Sequence, residues 1–105
     1  MKQLTAPDLA ELIADGRDID ILDVREVWET RISKLDNSVH IPMGQIPARI
    51  DELSKDKMVV CLCHHGVRSH QVALFLEHHG FNHVFNLHGG IDAWSRQVDT
   101  SCPTY

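Results

Sequence analysis

Apolar residues along this chain switch repeatedly between a helical and an extended rhythm. Thr5-Ala6-Pro7-Asp8 has the make-up of a helix start, with a hydroxyl cap and a proline tolerated in the first turn. Leu9, Leu12 and Ile13 then share one helical face, and Gly16 ends the segment. Ile19 to Val24 reads as a strand, with Ile21 and Leu22 apolar on both faces as a buried parallel strand requires. Val39-His40-Ile41 predicts a shorter strand stopped by Pro42, and Ile46, Ile50 and Leu53 predict a helix of about two to three turns beginning near Gln45. Met58 to Leu62 is the most apolar strand and should be central. A helix follows from about Arg68 to His79, with Val72, Phe75, Leu76 and His79 on one face. Gly80 suits the left-handed position after its end, and Phe81 can fold back on Leu76. Val84 to Leu87 predicts a last strand, and Gly89-Gly90 leads into a short helix through Trp94. Buried strands alternating with helices imply a parallel sheet covered on both faces, with ligands beyond the carboxyl ends of the strands.

Composition narrows this picture. A chain of 105 residues is enough for one domain and too short for two, and no repeat or linker interrupts it. Ten Lys and Arg against fifteen Asp and Glu give a net charge of −5, which argues against a nucleic-acid binder held by phosphate contacts. The longest apolar run, Met58 to Cys63, is six residues, far short of a membrane span. Met1 to Asp8 carries no apolar signal core, and three cysteines suit a reducing compartment, so a cytoplasmic location is expected.

The chemistry concentrates after the central strand, in Val59-Val60-Cys61-Leu62-Cys63-His64-His65-Gly66-Val67-Arg68-Ser69. Cys63 falls where the strand ends, and the next helix opens only a few residues later. A short loop curled at Gly66 can aim several backbone N–H groups at the sulfur. The helix N-terminus adds its positive end, and Arg68 adds a full charge with planar donors. All three favour thiolate. An unperturbed cysteine, with a pKa of about 8.5, is only about 3% thiolate at pH 7, and lowering that pKa by about two units makes it mostly thiolate. The segment therefore describes an activated sulfur nucleophile in an anion cradle.

That loop, a cysteine with four residues before an arginine, resembles the active-site loop of rhodanese-type sulfurtransferases. Leu22-Asp23-Val24-Arg25-Glu26-Val27-Trp28-Glu29 is similar to the family's D-V-R-x-x-x-E segment, and His40-Ile41-Pro42-Met43-Gly44 to its second segment. Asn86-Leu87-His88-Gly89-Gly90-Ile91-Asp92-Ala93-Trp94 resembles its L-x-G-G-x-x-x-W pattern. Four motifs in the family's order cover nearly the whole chain. The resemblance implies an α/β fold, a rhodanese-like α/β/α sandwich with a central five-stranded parallel sheet, over a single domain of residues 1–105. It implies sulfur transfer through a Cys63 persulfide, with the loop residues His64, His65, Gly66, Val67, Arg68 and Ser69 binding substrate and no metal or organic cofactor. The expected partners are a small anionic sulfur donor such as thiosulfate and a thiol or cyanide-like acceptor. A persulfide-carrying protein is a second class of donor; nucleic acid and membrane are not expected. Ile32-Ser33-Lys34 departs from the family's Gly-His-Ile, on what reads as a surface connection.

Plainer roles stand beside these. Cys61 reads as core packing one pleat below Cys63, or as a resolving thiol, and Cys102 as an incidental residue of a polar tail. Asp23 and Arg25, past the carboxyl end of a buried strand, read as a network supporting the active loop. His64 and His65 read as exposed loop residues that are either polar filler or, partly protonated, a source of positive potential. Trp28 and Trp94 read as core or rim anchors. Zinc held by Cys61, Cys63 and histidines is disfavoured, because Cys-x-Cys within a strand lacks the usual ligand spacing. Two rival functions remain: a phosphatase or arsenate reductase of the Cys-x5-Arg type, and a non-catalytic interaction module. The four residues between Cys63 and Arg68 leave a smaller cradle than the first needs, and from Cys61 the interval is six. The second commonly lacks the cysteine or the arginine, and this chain keeps both.

Overall fold

In the computed structural model, which describes Met1 to Tyr105, five parallel strands form one sheet in the order β1-β5-β4-β2-β3. The elements are β1 (Lys2–Leu4), α1 (Ala6–Ala14), β2 (Ile19–Asp23), α2 (Val27–Ile32), β3 (Val39–His40), α3 (Ile46–Arg49, flanked by 3-10 turns over Met43–Gln45 and Ile50–Glu52), β4 (Met58–Leu62), α4 (Val67–His78), β5 (Val84–Leu87) and α5 (Gly90–Gln97). Strand β4 occupies the middle, where both of its faces must be apolar.

Its pleat divides the core in two. Val59, Cys61 and Cys63 face one side, with Ile46 and Leu53 from the α3 segment and Val72, Ala73 and Leu76 of α4. Val60 and Leu62 face the other, with Ala6 and Leu9 of α1 and Ile91 of α5. Alternate side chains of one strand thus bind two helical layers, which gives the α/β/α sandwich. Thr5 caps α1 by accepting from the Asp8 amide at 3.2 Å. The end of α4 follows the expected cap: the Phe81 amide donates to Leu76 at 3.2 Å and the Gly80 amide to Glu77 at 3.3 Å, with Gly80 left-handed and Phe81 buried.

Two elements lack the hydrophobic rhythm that marks the others. Strand β1 is an edge strand of three residues paired only with β5, and Lys2 and Gln3 are exposed, so it carries no apolar signature. Helix α2 inverts the usual pattern. Val27, Trp28 and Ile32 are exposed while Glu29 is buried. A helix whose buried residue is a carboxylate cannot be found from hydrophobic periodicity. Smaller differences concern boundaries: β2 stops at Asp23, β3 is two residues, α4 starts at Val67, and α5 runs to Gln97. Trp28, 60% exposed, is a rim residue and not a core anchor, whereas Trp94 packs against the α1/α5 side of the core.

Candidate active site

Cys63 lies just past β4, and its side chain is 1% exposed. The backbone turns at Gly66 (φ +100°), where a Cβ would press on the Leu87 carbonyl oxygen at 3.2 Å and the Gly89 nitrogen at 3.3 Å. That turn brings the Gly66 amide to 3.1 Å from the Cys63 sulfur, and the Ser69 hydroxyl donates to the same sulfur at 3.3 Å. Burial pushes the thiol pKa up. The Ser69 hydroxyl and the amides of Ser69, Gly66 and His65 outweigh it, so the pKa lies below the ordinary thiol value. Amide and hydroxyl dipoles thus face the sulfur.

The loop is clamped to α5. The Ile91 amide donates to the Cys63 carbonyl at 2.9 Å and the Asp92 amide to the His64 carbonyl at 3.1 Å. Gly90, at φ +63°, runs against both carbonyl groups, and a Cβ there would penetrate them. The glycine pair therefore lets the start of α5 approach the Cys63–Gly66 turn.

Arg68 lies in the first turn of α4. Its guanidinium forms a two-pronged pair with Glu29, at 2.7 Å to Oε1 and 2.9 Å to Oε2. A cation at the start of α4 needs compensation against the helix dipole, and Glu29 of α2 provides it in place of a bound anion. Arg68, then Tyr105 and the α2 capping contacts, hold the Glu29 carboxyl down to about 2 against the cost of burial. The charge of Arg68 still acts on the Cys63 thiolate through space.

Asp23 and Arg25 form a buried ion pair. The Arg25 guanidinium is completely buried, with Nε at 3.0 Å from Asp23 Oδ1 and Nη2 at 2.8 Å from Oδ2. It also donates to the Ser33 carbonyl at 2.6 Å, so Ser33 is a buried anchor and not part of a surface connection. Arg25 further donates to the Tyr105 hydroxyl at 3.0 Å, and that hydroxyl donates to Glu29 at 2.5 Å. Tyr105 thereby joins the Asp23–Arg25 pair to the Glu29–Arg68 pair. Nothing in the sequence marks a lone tyrosine in a polar tail for this role.

His64 is not exposed loop filler. Its ring stacks on Tyr105 at 3.8 Å and on His65 at 3.9 Å, and its Nε2 is buried without a partner. Burial, followed by the neighbouring His65, lowers its pKa below the usual histidine value, so it adds little positive potential near neutrality. His65 is exposed, and Val67, 70% exposed, stands on the rim of the loop. Ser69 is fully buried, and its hydroxyl also reaches Asn86 Oδ1 at 2.6 Å. Asn86 lies outside the loop motif, and a polar residue inside Val84-Phe85-Asn86-Leu87 is the sequence signal that marks it.

The other cysteines are inert by position. Cys61 lies in the core, where burial and then the neighbouring Cys63 push its pKa up to about 12. Cys102 is buried against the α1/α5 layer, so the polar tail around it folds back on the core. Cys61 makes no cluster with histidines. His64, His65 and Asp92 do bring nitrogen and oxygen atoms within 4.8 Å of one another. Asp92 is held by Arg96 at 3.0 Å and the two imidazoles lie face to face, an arrangement of stacking and ion pairing rather than chelation.

Comparison with known proteins identifies the family. The rhodanese-like domain family matches residues 5–97. A sulfurtransferase of Allochromatium vinosum is 34% identical over 96 residues, covering 91% of this chain and 90% of that protein. The thiosulfate sulfurtransferase GlpE of Coxiella burnetii is 33% identical over 100 residues, covering 95% and 92%. The crystal structure of a rhodanese-like domain protein from Staphylococcus aureus superposes with a TM-score of 0.87 at 30% identity, covering 100% of this chain and 99% of that one.

Proposed function

This chain belongs to the rhodanese-like family, and from that premise we propose that it moves sulfane sulfur from a donor such as thiosulfate or a persulfide to a thiophilic acceptor through a Cys63 persulfide. The observation that carries the reading is the Cys63 sulfur at the end of β4, facing the Gly66 amide at 3.1 Å and the Ser69 hydroxyl at 3.3 Å. These donors stabilise a negative sulfur and cost no reorganisation when charge arrives. With thiosulfate, the Cys63 thiolate attacks the outer sulfur and forms a new S–S bond while the bond to the sulfite group breaks. Sulfite leaves with the electron pair, and Cys63 carries an anionic outer sulfur. A thiol or cyanide then attacks that sulfur and returns Cys63 as thiolate.

His64, His65, Gly66, Val67, Arg68 and Ser69 surround the nucleophile, with Gly66 and Ser69 acting on the sulfur itself. Arg68, His64 and Val67 shape the rim. We place the activity in one domain spanning residues 1–105, with the donor either a small anion or a persulfide borne by a partner protein. No helix is long and apolar enough to cross a membrane. The test is intact mass before and after incubation with thiosulfate. We expect a gain of about 32 Da, one sulfur on a reactive thiolate, mapped to Cys63 and absent from Cys63→Ser. A persulfide on another cysteine, or sulfur transfer to cyanide that survives Cys63→Ser, would remove the proposal.

A further inference from the structure

Ser69 has one hydroxyl proton and two acceptors for it. The Cys63 sulfur lies at 3.3 Å from its oxygen, and Asn86 Oδ1 lies at 2.6 Å on the other side. A hydroxyl donates one hydrogen bond at a time, so these two contacts compete. The orientation of Asn86 follows from its remaining partners. Its Nδ2 donates to the Gly66 carbonyl at 3.0 Å and to Gln3 Oε1 at 3.1 Å, and a carbonyl oxygen can only accept. That fixes the amide oxygen towards Ser69. The Gln3 amide is itself met by His70 Nδ1 at 3.1 Å, so the group is anchored from β1, α4 and the loop together.

We propose that Asn86 is a positioning residue for sulfur transfer, holding the Ser69 hydroxyl in a second berth from which it turns to the Cys63 sulfur as that sulfur gains charge. With Cys63 as thiol, its S–H can donate to Ser69 Oγ while Ser69 donates to Asn86, and every group is satisfied. On ionisation the thiol proton leaves to solvent. The hydroxyl proton stays on Oγ and swings to the sulfur, and Asn86 Oδ1, on a residue 2% exposed, loses its donor. When the persulfide forms, negative charge moves to the outer sulfur, and the hydroxyl can return to Asn86. Asn86 thus opposes premature ionisation and resets Ser69 once the inner sulfur is neutral.

The one full charge that acts on the Cys63 sulfur, Arg68, does so through space and not through Ser69, so it acts alike with and without that hydroxyl. Cys61 of β4 stays protonated, and Arg68 of α4 is engaged by Glu29 of α2. His64 and His65 turn their rings on one another and on Tyr105, Asp92 of α5 pairs with Arg96, and β5 presents Asn86.

The test is a double-mutant cycle read on the thiol itself. Asn86→Ala and Asn86→Asp are made with Ser69 present and in a Ser69→Ala background. The pH dependence of Cys63 alkylation by iodoacetamide is followed by peptide-mapped mass. The proposal rests on Cys63 being the sulfur-bearing nucleophile, but alkylation needs no sulfur donor, so failure of transfer and failure of this inference are separable. Loss of the Gly66 tether, and any new charge, act equally in both backgrounds and cancel in the cycle. We expect Asn86→Ala to raise the Cys63 thiolate fraction below its pKa by about 10-fold more when Ser69 is present than when it is absent. Asn86→Asp, which keeps the shape and accepts more strongly, should lower it by more when Ser69 is present. If Asn86→Ala fails to fold, Asn86→Asp alone decides. Equal displacements in the two backgrounds would overturn the proposal.

Discussion

Glu29 satisfies three partners from three parts of the chain. Its carboxylate receives the Arg68 fork, the Tyr105 hydroxyl and, as part of the α2 capping box, the Glu26 amide at 3.1 Å. With its pKa held at about 2 in the folded protein and 4.5 as its reference, Glu29 binds fewer protons folded than unfolded. Its contribution is therefore fully present above pH 4.5 and is lost as pH falls towards 2. A shift of this size corresponds to at most about 3 kcal/mol, less where solvent reaches the half-exposed Arg68. Glu29→Gln should lower unfolding free energy at pH 7 by about 2 kcal/mol. It should also flatten the acid limb of stability between pH 4.5 and 2. Urea unfolding across that range checks both, and an unchanged acid limb in the variant would show that Glu29 does not carry it.

At the scale of elements, the Cys63–Gly66 turn is held between two glycine-started helices. Gly66 precedes α4 and Gly89 precedes α5, both in left-handed backbone, and Gly90 presses the start of α5 onto the carbonyls of Cys63 and His64. Gly90→Ala should cost about 2–4 kcal/mol and abolish sulfur transfer, because it strains a positive φ and drives the loop off its clamp. Gly44→Ala is the control. Nothing lies within 4 Å of a Cβ there, so its stability should stay within about 0.5 kcal/mol of the parent. Thermal unfolding and initial rates on the two proteins separate the cases, and an active Gly90→Ala would refute the clamp. The same elements show what a sequence can disclose. Strand β4, helix α4 and its cap were legible because burial and periodicity coincide in Met58–Leu62 and in Val72, Leu76 and Phe81. Cys63, Gly66 and Ser69 were legible because a thiol, a glycine and a helix start fell in one short loop. Strand β1 and helix α2 were not, since their stabilisation comes from edge pairing and from a buried carboxylate. Long-range polar partnerships were equally hidden: Glu29 with Arg68 spans 39 positions, and Tyr105 with Arg25 spans 80.

For the molecule as a whole, charge is arranged to be neutral at the site and negative overall. Arg68 is matched by Glu29, Arg96 by Asp92 and Arg25 by Asp23, while His64 is held towards its neutral form and the net charge is −5. To the proposed donor thiosulfate, a dianion, the site would offer no uncommitted guanidinium, on a protein of the same sign. Electrostatic steering should be absent or weakly repulsive, and salt relieves repulsion. The value of kcat/KM for thiosulfate, measured with cyanide as acceptor, should stay flat or rise by about twofold as ionic strength goes from about 0.02 to 0.2 M. Glu29→Gln removes the counter-charge of Arg68 and should reverse the sign of that dependence, provided the comparison is made well below the temperature at which the variant unfolds. A steep fall of kcat/KM with salt in the parent protein would mean that a cation still acts on the donor, and that the Glu29–Arg68 pair opens when substrate arrives.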